Sequence, residues 1–466
     1  MSRRGLALAL LGAAALSACN SMAPRYERPA PPVPERFPDT AAGAAITPAA
    51  ELPWQQFYRD ARLQRLIELA LRNNRDLRIA VLAIEQARAQ GQLRDADLWP
   101  TVSAGISGSR QPTANGTIAS LYSAGVIVTA YELDFFGRLH SLSDVAAAQL
   151  LASDEARKAV QISLIAGIAH ADFALQADEE LLRVTRQTLQ TRQDSLRLTK
   201  LRFDNGASSL LDLRAAESLL EAARVSLAQQ SRQRALDENT LALLLGQGLP
   251  DDLPPAASLP SLPALPELPA GLPSEVLTRR PDVRQAELQL LAANANIGAA
   301  RAAFFPKITL TGSAGSVSGQ LSGLFKAGSY AWGFAPQLLE PIFDAGRNRA
   351  NLQLSQVGRD IALAQYEKAI QSAFREVADA LAGRATLAEQ LRAQTAQAQS
   401  EQARYELTDL RYRNGASSYL EVLDAQRSLF AAQQARVQAQ ALFAQNGVAL
   451  YRVLGGGWTA SAGRSP

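Results

Sequence analysis

The sequence RFDNGASS at residues 202–209 returns as RYRNGASS at residues 411–418, 209 residues further along the chain. The tripeptides FGR at 136–138 and AGR at 345–347 have the same spacing. Matches spread over this length indicate an internal duplication, in which two copies of one structural unit follow each other. The structure of one copy therefore predicts the structure of the other.

Each copy contains a long segment that favours helix. Residues 138–205 contain no proline and one glycine, and residues 342–465 contain no proline. Alanine, leucine, glutamine, arginine and glutamate dominate both segments, and all of them are good helix formers. A helix of nearly 70 residues would be about 100 Å long, which suits a protein that reaches across a wide gap. Shorter helices, with breaks near Gly358 and Gly383, are the alternative interpretation.

Four shorter runs alternate apolar with small or polar residues, the pattern of half-buried β-strands. Their in-phase residues are Val102, Ala104, Ile106; Ala124, Val126, Val128, Ala130; Ile308, Leu310, Gly312, Ala314; and Tyr330, Trp332, Phe334. Loops rich in glycine and serine, at 108–120 and 315–329, join the runs in pairs. The sequence therefore predicts two β-hairpins, at about 100–135 and about 306–341.

These hairpins are candidate membrane segments. After Cys19 no run of eighteen apolar residues occurs, so no transmembrane helix is expected. Four strands cannot close a membrane barrel, which needs about eight, and an open edge in lipid leaves backbone groups unpaired. Several chains would therefore have to share one barrel, with water on the polar face and lipid on the apolar face. A small sheet that caps a helical domain is the alternative.

The N-terminus indicates export and lipid attachment. Arg3 and Arg4 precede the apolar run 6–15, and LSAC at 16–19 resembles a bacterial lipobox. Cleavage before Cys19 would leave this residue to carry diacylglycerol and an N-acyl chain, and no other cofactor is expected. An ordinary secretory signal is the alternative. Because Cys19 is the only cysteine, no intramolecular disulfide can form.

Glycine, proline and the duplication mark the boundaries of the segments. The proline-rich stretch 248–273 cannot continue either neighbouring helix. The predicted segments are a signal peptide at 1–18, a lipidated extended segment at 19–58, a first repeat at 59–247, an equatorial linker at 248–273, a second repeat at 274–457 and a disordered tail at 458–466.

Composition and motifs argue against several functions. A formal net charge of +3 over 466 residues provides no basic field for nucleic acid. The chain has no G-x-S-x-G, no P-loop and no G-x-G-x-x-G motif. His140 and His170, the only histidines, are thirty residues apart and have no cysteine nearby. We therefore expect neither an enzyme nor a metal site.

The order of lipobox, duplicated halves, hairpins, proline-rich linker and R-[FY]-x-N-G-x-S-S turns resembles the TolC-like outer-membrane efflux factors, and within them the OprM/NodT lipoprotein branch. The resemblance implies a mainly α fold with a membrane β part. Long antiparallel coiled-coil helices would form a trimeric α-barrel in the periplasm, and four strands per chain would contribute to a 12-strand β-barrel in the outer membrane.

The resemblance also implies a function and partners. It identifies the chain with the outer-membrane channel of a tripartite efflux pump, a passive conduit that exports small molecules. The implied partners are two further copies of the chain, a periplasmic membrane-fusion adaptor, an inner-membrane pump of the RND type and outer-membrane lipid. A periplasmic coiled-coil lipoprotein scaffold without a pore is the competing hypothesis, and a cell-wall hydrolase is a third.

Both repeated turns have the chemistry of a junction between antiparallel helices. Asparagine-glycine can adopt the left-handed backbone that ends a helix, and the following serines can cap the next one. By resemblance, these turns contact the adaptor through Arg202, Asn205, Gly206, Ser208, Arg411, Asn414, Gly415 and Ser417. For the glycines, a purely structural role in the turn is the alternative.

The helix after the second turn carries the candidate gate. Leu420 and Asp424 are four residues apart and share a helix face. By resemblance, Leu420, Glu421 and Asp424 line a closed periplasmic mouth, each forming a ring with its copies. Ala215 takes the place of Asp424 in the first copy, so only the second copy can supply the acid. A solvated acidic face is the alternative.

Overall fold

A computed structural model describes residues 21–37, 52–255 and 274–458. Cys19, the signal peptide, most of the proline-rich linker and nearly all of the predicted tail lie outside these ranges. The described chain divides into two compact units. Unit 1 contains Leu82–Glu155, Arg284–Ala369 and the described part of Met1–Pro31. Unit 2 contains the described parts of Pro32–Val81, Ala156–Val283 and Ile370–Pro466, so each unit combines segments of both repeats.

Both halves of the chain contain a helix, a β-hairpin, a 67-residue helix and a shorter helix in this order, and the first half begins with two additional helices. In the first half the elements are α1 (Trp54–Phe57), α2 (Ala61–Asn73), α3 (Arg75–Ala96), β1 (Val102–Pro112), β2 (Ile118–Leu133), α4 (Arg138–Asp204) and α5 (Leu210–Leu245). In the second they are α6 (Pro281–Ala302), β3 (Lys307–Ser318), β4 (Tyr330–Leu339), α7 (Arg347–Arg413) and α8 (Tyr419–Val453). A 3-10 turn, Ser274–Arg279, precedes α6.

Both long helices are continuous, as the first interpretation of the sequence predicts. Each of α4 and α7 has 67 residues, and α7 passes Gly358 and Gly383 without a break, so the alternative of broken helices is wrong. Packing explains this continuity, because tertiary contacts stabilise a helix more than the propensity of single residues does. Val377 and Ala380, in the turns before Gly383, are buried.

Helix α4 is the one described helix that is long and apolar enough to cross a membrane. However, 61% of its most apolar window is buried within the protein, as is typical of a core helix. Ile165, Ile168 and Ala169 are almost completely inaccessible there. These buried side chains belong to the core of unit 2. The Phe57 and Tyr451 rings stack in the same unit, with their centroids 3.9 Å apart.

The four strands form one antiparallel sheet in the order β1-β2-β3-β4, which confirms the two predicted hairpins. The first hairpin loop is shorter than predicted, since β1 continues to Pro112 and β2 begins at Ile118. The β2–β3 register shifts between Val128 and Tyr131, where Ala130 has a positive φ of 51°. Such a bulge bends the strand at the end that leads into α4.

The register gives the sheet two chemically different faces, because directly opposed residues point to the same side. One face is apolar and carries Val102, Val128, Phe334, Ala104, Val126, Ala314, Trp332, Ile106, Ala124 and Tyr330. The other carries mainly small and hydroxyl residues, including Ser103, Ser313, Gly333, Gly105, Gly125, Gly315, Ser107 and Ser123. This distribution agrees with the predicted alternation.

Candidate functional site

The two repeated turns lie in unit 2 and have nearly identical backbones. Gly206 and Gly415 have φ values of 72° and 73°, the left-handed conformation that glycine adopts without steric cost. In the first turn, the amide of Ala207 donates to the Arg202 carbonyl at 2.7 Å. The amide of Gly206 donates to the Phe203 carbonyl at 2.9 Å. These two bonds define a Schellman motif, which satisfies carbonyls that the helix end would leave without partners.

The second turn repeats these bonds with small differences. The amide of Ala416 donates to the Arg411 carbonyl at 2.8 Å, and the amide of Gly415 to the Tyr412 carbonyl at 3.0 Å. Asn205 and Asn414 each donate a side-chain N–H to the carbonyl four residues earlier, at 2.7 Å. The predicted tip residues are thus placed together in two matching turns, and most of them have a structural role there.

The serines after each turn cap the next helix. Ser209 accepts from the Asp212 amide, and Ser418 accepts from the Glu421 amide. Each acid completes a capping box with its serine, and Ser208 and Ser417 donate further bonds to these same carboxylates. The hydrogen bonds lower the pKa of Asp212 and of Glu421. The structure therefore gives Glu421 a capping role beside the predicted role at the gate.

The two turns contact each other through aromatic and cationic side chains. The Arg202 guanidinium lies over the Tyr412 ring at 4.6 Å, and the Tyr412 and Tyr419 ring centroids are 5.3 Å apart. Beneath them lies an apolar cluster of buried residues from α5 and α8, namely Ala216, Leu219, Tyr419, Val422 and Leu423. Arg202 is thus held by Tyr412, and Arg411 donates to the Ala416 carbonyl of its own turn.

At the predicted gate, Leu420 is exposed and Asp424 has a partner. The Leu420 side chain is 71% exposed. The Arg404 guanidinium in α7 donates a hydrogen bond to the Asp424 carboxylate and a second one, at 3.1 Å, to Glu401. The hydrogen bond to Asp424 is the main reason that the pKa of Arg404 is raised. Within one chain the site is an ion pair beside an exposed leucine.

Arg404 is a residue that the sequence interpretation missed, although the sequence contains the signal. Arg404 and Asp424 are each ten residues from Asn414, at the centre of the turn. In an antiparallel helix pair, residues equally far from the turn face each other. The corresponding positions of the first repeat hold Ser195 and Ala215, which cannot form an ion pair, and Ser195 instead accepts from Gln426 at 3.1 Å.

The two histidines are the remaining candidates for metal ligands or catalytic groups. No group of three or more histidine, cysteine, aspartate or glutamate side chains that could hold a metal ion occurs among the described residues. The ring of His140 contacts Asp134 at 2.8 Å, next to the start of α4, and burial lowers the pKa of His170. Neither histidine lies near the turns, since both are at least thirty residues from Arg202 along α4.

A family model and two curated relatives all identify outer membrane efflux proteins as similar to this chain. The model of the family "Outer membrane efflux protein" matches residues 66–247 and 272–456. The probable efflux pump outer membrane protein TtgC of Pseudomonas putida is 46% identical, over 96% of this chain and 94% of its own length. Outer membrane protein OprJ of Pseudomonas aeruginosa is 45% identical, over 97% and 95%.

A solved structure has the same fold over nearly its whole length. The MtrE outer membrane channel of Neisseria gonorrhoeae, determined in an open state, superposes with a TM-score of 0.87 at 40% identity. The match covers 94% of this chain and 99% of that one. The fold of this chain is therefore that of a known outer membrane channel.

Proposed function

The chain belongs to the family of outer membrane efflux proteins, and from this premise we propose that three copies assemble into one export channel. The protein is the outer-membrane component of an efflux pump, and its strands lie in the outer membrane. A trimer would combine four strands from each copy into a twelve-strand barrel. The long helices would continue the conduit through the periplasm. Its transport role is passive, without an enzymatic step.

The observation that carries this proposal is the open, two-faced sheet. Strands β1 and β4 lie at its edges, and every residue of both strands is exposed in the single chain. In lipid, an unpaired edge would cost several kcal/mol for each unsatisfied backbone group. Pairing β1 of one copy with β4 of the next removes both edges. The apolar face then meets lipid, and the serine- and glycine-rich face lines the water-filled lumen.

The names of the relatives support further partners. TtgC is named as the probable outer membrane protein of an efflux pump, so further components of such a pump are expected in the periplasm and the inner membrane. We propose that a membrane-fusion adaptor docks on the two turns and that the pump is of the RND type. Lipid on Cys19 would add an anchor to the inserted strands. A scaffold without a pore is disfavoured because the matching structures are channels.

We also propose how the periplasmic mouth of this channel is closed. Around a three-fold axis, three copies of Leu420 would form an apolar constriction, and three Arg404–Asp424 pairs would surround it. Each pair joins α7 to α8 in one copy, so the pair holds the helix that carries Leu420. Adaptor docking would open the mouth by moving this helix pair outward. The ion pair is the element whose breakage would accompany opening.

Native mass spectrometry of the detergent-solubilised protein tests the assembly. One chain has a mass of 49.8 kDa, so a trimer of about 150 kDa is expected. Insertion of the same preparation into planar bilayers should give ion-conducting channels. A preparation that contains only monomers, or trimers that do not conduct even after Leu420 and Asp424 are replaced by alanine, would contradict the proposal.

A further inference from the structure

The first described residues of the chain lie along helix α6 in unit 1. The Met22 carbonyl accepts from Arg301 at 3.1 Å, and the Pro24 carbonyl accepts from Asn294 at 2.7 Å. Arg28 forms a bidentate pair with Glu287, with distances of 2.6 and 2.5 Å. Residues 22 to 28 thus follow α6 from its end towards its beginning. We call residues 21–28 the N-terminal strap.

The strap lies very close to the helix at one point. A Cβ atom at Gly298 would lie 2.8 Å from the amide nitrogen of Ala23 and 2.6 Å from the Ser141 hydroxyl oxygen. Real Cβ atoms are almost never so close to other heavy atoms, so only glycine allows this approach. The hydroxyl oxygens of Ser21 and Ser141 are 3.4 Å apart. The strap is therefore fixed on both α6 and the first turns of α4.

A cavity of about 330 Å³ is lined by residues that adjoin the contacts of the strap, among them Arg138, three residues before Ser141, and Ala302, next to Arg301. We call it the junction cavity, since it lies where β2, β3 and β4 meet the helices α4, α6 and α7. Its apolar lining residues are Leu133, Phe136, Ala302, Ala303, Phe305, Pro306, Leu339 and Pro341. The Phe136 and Phe305 rings stack at 4.8 Å. The volume lies at the lower end of the usual range for small-molecule sites, about 300–1,000 Å³.

Several polar groups that line the junction cavity already have partners within the chain. Glu132 binds Arg138 at 2.7 Å and Lys307 at 2.8 Å. The Asp344 carboxylate accepts the backbone amides of Gly346 and Asn348 at the start of α7. The Asn348 side chain donates to the Ala303 carbonyl at 2.9 Å. Because these groups are hydrogen-bonded within the chain, an occupant would mainly contact the apolar walls of the cavity. The charge of Glu132 is already balanced by Arg138 and Lys307.

We propose that the junction cavity holds an acyl chain of the lipid attached to Cys19. The N-terminal strap would bring Cys19, and with it the attached acyl chain, close to the junction cavity. Ser21 contacts Ser141, which is one helical turn from Arg138 in the lining, and Met22 contacts Arg301, which adjoins Ala302. Cys19 lies two residues before Ser21, and two residues span at most about 7 Å. The lipid would then fasten the N-terminus to the base of the sheet as well as to the membrane.

This inference rests on the proposed lipidation, and cross-linking tests the two separately. The full chain is expressed in lipoprotein-processing bacteria that are fed a fatty acid with a diazirine near the chain end. After irradiation and trypsin digestion, the peptide 19–25 should be joined through its lipid to one of the three peptides that line the cavity, 111–138, 302–307 or 327–347. An acylated peptide 19–25 joined only to other segments would overturn the cavity assignment alone. A peptide 19–25 without any acyl group would refute the lipidation itself.

Two other occupants have their own signatures in this experiment. Peptides 111–138, 302–307 and 327–347 joined only to free phospholipid would assign the cavity to membrane lipid. The same peptides modified by no lipid at all, in protein whose Cys19 is acylated, would mean that a neighbouring copy fills the cavity in the assembled channel. Either result would overturn the proposal.

A thermal cycle provides a second measurement. We expect the lipidated protein to melt at least about 3 °C above its Cys19→Ser form, which the N-terminal lipid cannot stabilise. Ala303→Trp, which fills the cavity, should remove this difference. Ala119→Trp, at the opposite end of β2, should preserve it. The difference in melting temperature between the lipidated and Cys19→Ser forms could also be equal in the unchanged protein, Ala303→Trp and Ala119→Trp. That result would show that the lipid stabilises the protein without entering the cavity.

Discussion

At the scale of single residues, the second repeat differs from the first at the positions that bear charge. Arg404 and Asp424 form an ion pair where the first repeat has Ser195 and Ala215. Their side chains remain about half exposed, so the pair contributes little to the free energy of unfolding. Its position beside the exposed Leu420 is the basis of the switching role that we propose for the pair.

The gate makes a first prediction. Replacing Leu420 and Asp424 by alanine should widen the mouth and release Arg404, so single-channel conductance in planar bilayers should rise. Cation selectivity should fall, because the ring of carboxylates is lost. Cells should also become more sensitive to large antibiotics such as vancomycin. Leu211→Ala, the matched change in the first repeat, should have much less effect. Unchanged conductance in intact double-mutant trimers would place the constriction elsewhere.

Two neighbouring carboxyl groups, of which one is buried, make a second prediction. Asp178 in α4 is 6% exposed, and burial together with the Asp237 carboxyl of α5 raises its pKa to about 7. In the unfolded chain the pKa is about 4. Between these values the folded protein retains a proton that the unfolded chain releases, so stability declines as the pH rises from about 4 to 7.

Asp178→Asn removes this dependence. At pH 8 the variant should be more stable than the unchanged protein by about 1–3 kcal/mol, since one unit of pKa corresponds to about 1.4 kcal/mol. At pH 4 the two proteins should melt alike. The control is Asp194→Asn, an exposed position of the same helix, which should show no such trend. If Asp178→Asn shifts the melting temperature equally at both pH values, Asp178 does not retain a proton in the folded protein between pH 4 and 7.

At the scale of secondary structure, the turns are the elements whose geometry the sequence specifies most fully. The left-handed glycine, the asparagine that binds a free carbonyl and the serine that caps the next helix occur in the same order in both copies. Each of these devices satisfies backbone groups at a helix end. Two long helices can therefore reverse direction within about five residues and leave few unpaired polar groups.

A glycine series separates the structural role of a turn from its contact with the adaptor. Gly415→Ala should cost about 1–2 kcal/mol, because the left-handed conformation is unfavourable for alanine. Gly415→Asn should keep most of the stability, since asparagine tolerates this conformation. If the turn surface contacts the adaptor, the asparagine variant will fold and assemble but export drugs poorly in cells.

The control for this series is Gly358→Ala in the middle of α7, where no atom crowds the added methyl group. This change should stabilise the helix slightly and leave efflux unchanged. If Gly415→Asn restores both melting temperature and drug resistance, the glycine serves only the turn and the adaptor contact lies elsewhere.

At the scale of the whole molecule, two membrane attachments are expected, one through strands and one through lipid. The apolar face of the sheet carries Tyr330, Trp332 and Phe334, which are all largely exposed in the single chain. A single acyl-bearing site adds to, and does not replace, the affinity of an inserted barrel. Channel formation should therefore survive loss of the lipid.

Cys19→Ser, exported through a cleavable signal, tests this independence. The variant should still require detergent, form trimers and conduct in bilayers, although its yield should fall. A variant that is released as a soluble rod would favour the scaffold without a pore. Loss of trimers with retention in the membrane would instead mean that the lipid directs assembly.

Sequence patterns by themselves determined the duplication, the long helices, the two hairpins and the chemistry of the turns. These features depend on residues close together in the chain, such as Asn205 with Gly206, and on periodicities that one element fixes. The boundaries of α4 agree with the proline- and glycine-poor segment to within a residue. The resemblance to efflux factors rests on the order of these features along the chain, and the family match confirms it.

Only the tertiary structure decided which side chains meet across elements. The contact of Arg202 with Tyr412 depends on how helices from the two repeats face each other. The strap on α6 joins residues more than 250 positions apart, where local patterns carry no signal. Contacts of this kind arise from packing between distant segments, and packing is a property of the folded chain.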